Sequence, residues 1–193
     1  MRYLKRYKKL FESITQQERS RIQSVCQKYG ITNYTINDDG SIDVNVDVDL
    51  RNKQLTKLPL KFGFVSGDFY CYNNKLTTLE GCPREVGGDF DCDDNQLTTL
   101  EGGPREVGGS FNCSRNKLTT LEGCPRQVGG YFDCSCNKVH KIYSLFTDYK
   151  SFLLSLDYNY FKGGNEINEL ALEDALSEIG KELPNSIEGY EYI

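Results

Sequence analysis

The sequence predicts an α+β protein: a short solenoid with a parallel β-sheet of about five rungs, an irregular return side and helical caps at both ends. Three observations carry that prediction. The phrase PREVGG stands at residues 83–88 and again at 104–109, inside a 21-residue pattern that recurs along the middle of the chain. Within each copy, apolar and polar residues alternate with the period of a strand. Both flanks instead carry apolar residues at helical spacing.

The N-terminal elements follow in order. Residues 1–12 form a basic leader, with Arg2, Lys5, Arg6, Lys8 and Lys9 against Glu12 in a chain of net charge −5. Residues 13–52 are expected to hold a helix, a hairpin and a first rung. Thr15 and Glu18 have capping-box spacing, Ile22, Val25, Cys26 and Tyr29 share one helical face, and Gly30 is placed to stop the helix. Two alternating runs around Asp39-Gly40 then read as a hairpin.

The repeats occupy residues 53–136: a degenerate unit at 53–73, then near-identical units at 74–94, 95–115 and 116–136. Their columns are strict. Leu76, Leu97 and Leu118 share one, Leu79, Leu100 and Leu121 a second, and Phe69, Phe90, Phe111 and Phe132 a third; Cys71, Cys92, Cys113 and Cys134 follow, then Asn74, Asn95, Asn116 and Asn137. A 21-residue unit cannot bury its apolar face alone and must lean on its neighbours, so these columns are turns of a solenoid. The segment V-x-G-x-F-x-C is expected to be the strand, pairing in parallel at ~4.8 Å. G-x-P-x-x-V-G-G returns the chain on the far side. Residues 137–193 are expected to form the C-terminal cap, with helices at 142–156 and 167–179. The second would carry Ile167, Leu170, Ala171, Ala175, Leu176 and Ile179 on one stripe.

Read from the phenylalanine, the unit is F-x-C-x-x-N-x-L-x-x-L, as in Phe90, Cys92, Asn95, Leu97 and Leu100. This resembles the leucine-rich repeat in its short bacterial class, and its wording is similar to 21-residue repeat proteins of large tailed phages and related bacterial genomes. The resemblance covers roughly residues 32–142. It implies that each asparagine turns inward and bonds the backbone of adjacent turns, and that the outward strand face is the binding surface.

Several chemistries are not expected. No apolar run approaches the ~20 residues of a membrane span, and no secretory leader is recognised, so the cytoplasm is the expected compartment, the host cytoplasm for a phage-encoded chain. The eight cysteines read as free: four lie on the inward phase of the repeat, and Cys82 and Cys124 share a column with Gly103, which no bridge tolerates. A single histidine, His140, leaves no ligand set for a metal and few acid–base schemes, and no G-x-S-x-G occurs. Neither enzyme activity, a metal nor a cofactor is expected.

The outward strand positions are Asp47, Asp49, Asp68, Tyr70, Tyr72, Asp89, Asp91, Asp93, Ser110, Asn112, Ser114, Tyr131 and Asp133. Stacked acids repel, so folding is not expected to require them, and the neighbouring tyrosines supply contact area with a polar tip. Arg84, Arg105 and Arg126 form a return-side column expected to pair with Glu80, Glu101, Glu122, Glu85 and Glu106, a balance unlike a nucleic-acid stripe. The expected function is a monomeric, non-enzymatic module that engages a protein with a basic surface. The alternative, suggested by the leader, is a packaged or structural virion component.

Overall fold

The computed structural model describes residues 14–139, 161–163, 166–187 and 191–193. The basic leader, the helix expected at 142–156 and His140 lie outside the described residues. The chain divides into two compact units, Met1–Lys138 and Val139–Ile193.

The first unit is a β-solenoid. Helix α1 (Gln16–Tyr29) begins at Thr15, whose hydroxyl accepts the Glu18 N–H while the Glu18 carboxylate accepts the Thr15 N–H. It ends at Gly30 in the left-handed region, and its inward face buries Ile22 and Cys26. The hairpin predicted at Asp39-Gly40 pairs β1 (Tyr34–Ile36) antiparallel with β2 (Ile42–Val44). From there the chain winds through β3 (Val48–Asp49), β4 (Phe62–Val65), β5 (Phe69–Tyr70), β6 (Glu85–Val86) and β7 (Phe90–Asp91). It continues through β8 (Glu106–Val107), β9 (Phe111–Asn112), β10 (Gln127–Val128) and β11 (Phe132–Asp133).

Odd and even strands build different sheets. One has six strands in the order β1-β2-β4-β6-β8-β10; the other has five, in the order β11-β9-β7-β5-β3, all parallel. The register advances by one repeat at each step, as in Phe69↔Phe90↔Phe111↔Phe132 and Val65↔Val86↔Val107. Two expectations are corrected here. The return side is not irregular but a second parallel sheet, because turns of equal length bring successive backbones back in phase, so that Gly108 N–H meets Val86 C=O at 2.8 Å. The V-x-G-x-F-x-C segment is not one strand: it bends at the glycine pair and hands the chain from one sheet to the other. The bend needs glycine, since a methyl group at Gly87 or Gly108 would run into the carbonyl oxygen of the turn before it.

The core lies between the sheets. Phe69, Phe90, Phe111 and Phe132 form a column with centroids 5.3–5.5 Å apart and rings within 11° of parallel, and Phe62 closes its N-terminal end edge-on at 5.1 Å. Each fully buried ring contributes on the order of 2–3 kcal/mol by area. Cys71, Cys92 and Cys113 pack as small apolar groups, and all eight cysteines are free.

The asparagine column lies behind them. Asn95 Oδ1 accepts the Leu76 N–H at 2.9 Å, while its Nδ2 donates to the carbonyls of Cys71, Cys92 and Asp93 at 3.0–3.2 Å. Asn116 and Asn137 repeat the arrangement one and two turns on. Each asparagine is preceded by a left-handed residue, Asn73, Asp94, Arg115 or Cys136, with φ of 48–55°.

The second unit contains β12 (Phe161–Gly163), β13 (Glu166–Ile167), α2 (Glu169–Ser177) and β14 (Glu191–Tyr192), the strands forming one sheet in that order. The expected stripe is corrected. Ile167 is buried in β13 rather than in the helix, Leu170 is 72% exposed, and the inward residues of α2 are Leu172, Ala175 and Leu176. Asn168 sets the shorter start by accepting the Ala171 N–H. Among the described residues, α1 and α2 are the two helices, and neither is long and apolar enough to cross a membrane.

Candidate functional site

The outward face of the five-stranded sheet carries three side-chain columns, and backbone chemistry accounts for much of two. In the first, Asp47, Asp68 and Asp89 each receive through Oδ1 the backbone N–H of the matching residue one turn on, at 2.7–2.9 Å; Ser110 does the same through Oγ for Tyr131. The oxygens of these acids therefore have a backbone role that the sequence reading did not assign, although Ser110 shows that an uncharged acceptor fills it too. An acceptor at this position satisfies the N–H that emerges from the glycine bend.

The second column is Asp49, Tyr70, Asp91, Asn112 and Asp133. Outside Tyr70, each Oδ1 of the column accepts the backbone N–H two residues on, at 2.9–3.1 Å, turning the chain out of the strand. Asn112 makes this turn without a charge, so the carboxylates at Asp49, Asp91 and Asp133 exceed what the turn needs. Burial, reinforced by Asp93 and Asp89, raises the Asp91 carboxyl above the ordinary range against the lowering effect of the Asp93 N–H and Asn112.

The third column runs Arg51, Tyr72, Asp93, Ser114 and Ser135. Arg115 reaches back to Asp93 at 2.7 Å. Arg51 Nε lies 3.0 Å from Asp49 Oδ2, and its Nη1 donates to the Tyr72 hydroxyl oxygen at 2.9 Å. Tyr70 and Tyr72 meet edge to face at 6.2 Å, with the Arg51 guanidinium 6.0 and 5.8 Å from their centroids. The Tyr70 hydroxyl donates to Asp68 Oδ2 at 2.7 Å; this bond, burial and the charges of Asp68, Asp89 and Asp47 push its pKa up to about 12. Tyr131 is 86% exposed.

The predicted residues thus share one face, but two cations absent from the prediction, Arg51 and Arg115, lie among them. Their 21-residue offset from Tyr72 and 22-residue offset from Asp93 were the available sequence signals. On the other sheet, Arg84, Arg105 and Arg126 form no ion pair with any described residue, so the expected return-side pairing is corrected. The repeat holds these arginines at one height by backbone bonds, Arg105 N–H to Arg84 C=O at 2.7 Å, and sets like charge beside like.

A cavity of about 630 Å³ between α1 and residues 54–61 is lined by Arg21, Lys57 and Lys61 opposite Glu80, with no histidine or cysteine. Among the described residues no three His, Cys, Asp or Glu converge as a metal would require. No family model, curated protein or solved structure matches the chain.

Proposed function

We propose that the protein is a non-enzymatic, monomeric interaction module of leucine-rich-repeat type, capped by helices, whose five-stranded sheet face engages a protein with a basic surface in the cytoplasm of a bacterial or phage-infected cell. The inward asparagine column and the resemblance in wording support the repeat type. One observation carries the binding role: Tyr70 and Tyr72 stand outward and half-buried in columns where the other turns use Asp, Asn, Ser or Arg. Stacking is satisfied without an aromatic there, whereas a partner gains anchoring area from one.

The repeats supply substitutions already compatible with the fold. Asp91→Asn and Asp133→Asn copy Asn112; Tyr70→Asn and Tyr72→Ser copy the later turns of their own columns. For a partner captured with the parent protein, the two Asp variants are expected to slow association and flatten its salt dependence, and the two Tyr variants to speed dissociation. Equal binding by all four would refute the sheet-face assignment. The basic leader favours a second reading, a packaged virion component, which predicts particles that contain the protein and a processed N-terminus.

A further inference from the structure

We propose that Tyr70, Tyr72 and Asp49 form a guanidinium-binding notch that Arg51 occupies in the free protein, and that an arginine side chain of a basic partner takes its place. This rests on the sheet-face reading above.

The notch has the parts such a ligand needs. Two rings set at 72° form a corner, the Tyr72 hydroxyl accepts a hydrogen bond, and Asp49 Oδ2 lies against Nε. The Tyr70 ring is held by its bond to Asp68, in a region where Asp47, Asp68 and Asp89 all act on its hydroxyl. A planar cation is attracted to ring faces and aligns with a carboxylate, which suits arginine better than the compact ammonium of lysine.

Nothing in the fold demands that Arg51 be the occupant. Its column continues as Tyr72, Asp93, Ser114 and Ser135, and the Asx bond to Asp49 Oδ1 uses the backbone N–H that any of these residues supplies. The Arg51 and Asp49 side chains are 46% and 47% exposed, so water competes for the ion pair and holds it weakly. A tethered occupant nevertheless has an effective concentration of the order of millimolar, which suppresses weak single cations. A basic surface making further contacts along the face can displace it. Arg51 would therefore act as an internal placeholder that rejects isolated cations and admits a multivalent partner.

The test uses the full chain and a small probe, N-acetyl-arginine methylamide, with its neutral citrulline counterpart as control. Tyrosine-ring NMR is followed in the parent protein, in Arg51→Ser and in Arg51→Ser/Tyr72→Ser, with Tyr70→Phe assigning the second ring. The probe is expected to shift the Tyr70 and Tyr72 rings saturably in Arg51→Ser, at least about tenfold more tightly than in the parent. The double variant and the citrulline control should show no such binding. Arg51→Gln, which keeps most of the stem, is an independent second variant with the same expected outcome. Equal affinity in parent and variants, no saturable shift in either variant, or equal binding of citrulline would overturn the notch. Because the probe is read without a partner, that failure is separate from failure of the sheet-face reading, which is decided by the Asp91, Asp133, Tyr70 and Tyr72 series.

Discussion

Replacing Asn95 by alanine isolates one member of the inward ladder. Asn95 is 7% exposed and serves four backbone groups. They do not lose equally. Cys71 C=O still receives Asn74 Nδ2, and Cys92 C=O still receives Asn116 Nδ2. The Leu76 N–H loses its only side-chain acceptor inside the stack. One orphaned buried donor costs about 1–3 kcal/mol, and the small void adds to it, so a loss on the order of 2–3 kcal/mol is expected. For a chain of this size that corresponds to a fall in Tm of about 5–10 °C, read by far-UV circular dichroism or urea titration. Asn95→Asp should be worse, since the acceptor is kept while a second carboxylate oxygen faces the carbonyls that Nδ2 served. A Tm for Asn95→Ala within about 1 °C of the parent would show that Leu76 N–H finds another partner and that the ladder is not what holds adjacent turns.

Other perturbations follow from the same geometry. Phe111→Ala, in the middle of the ring column, should cost ~3–5 kcal/mol by denaturant titration, and a near-neutral effect would contradict the stack. Cys136→Asn should stabilise by about 0.5–1 kcal/mol, because Cys136 is exposed with φ of 55° and asparagine tolerates that region, as Asn73 does. All eight thiols should react after denaturation without reductant; in the native protein Cys136 should react first, because burial pushes Cys71, Cys82, Cys92 and Cys113 up and withholds their thiolates. Asp91→Asn should raise Tm at neutral pH, read by thermal denaturation across a pH series. The sign is set by linkage: a carboxyl raised on folding binds its proton more readily in the native state, so its penalty is present at neutral pH and disappears as pH falls below the unfolded value. A gain that persists unchanged at pH 3 would exclude the charge as its cause.

The inward half of the fold was legible because stacking repeats itself. The Phe, Cys, Asn and Leu columns are identical from turn to turn, and the structure places them in register inside the solenoid. The second sheet was not legible: Glu85-Val86 gives only two residues of strand, too short for alternation to show, and its pairing arises from equal turn length rather than residue type. The same limit hid the bend at Gly87-Gly88, since V-x-G-x-F-x-C alternates on paper straight through it. In α2, the apolar run beginning at Ile167 concealed a strand-to-helix change that depends on Asn168 accepting the Ala171 N–H. The acids of the candidate face were placed by column, but the backbone role of their oxygens was not legible. Asp68 and Asp89 show their acceptor role only once the backbone N–H emerging beside them is seen, and a sequence pattern does not reveal which groups a bend leaves unpaired.

The glycine bend also determines how such a protein can change length. Each turn stacks on the turn before and the turn after, through backbone contacts that recur between the near-identical repeats, so a duplicated block of 21 residues would meet ready-made neighbours on both sides. A block of 22 would set Val107 against the carbonyl that faces Gly108, and a block of 20 would put Ser110 in the place of Gly109, where a Cβ runs into the Asp89 carboxylate. Growth and shrinkage are thereby quantised, and any new turn arrives with its interior already specified and its outward positions open to revision. Recombination between copies would edit the displayed face one stripe at a time while leaving the stacking chemistry unaltered.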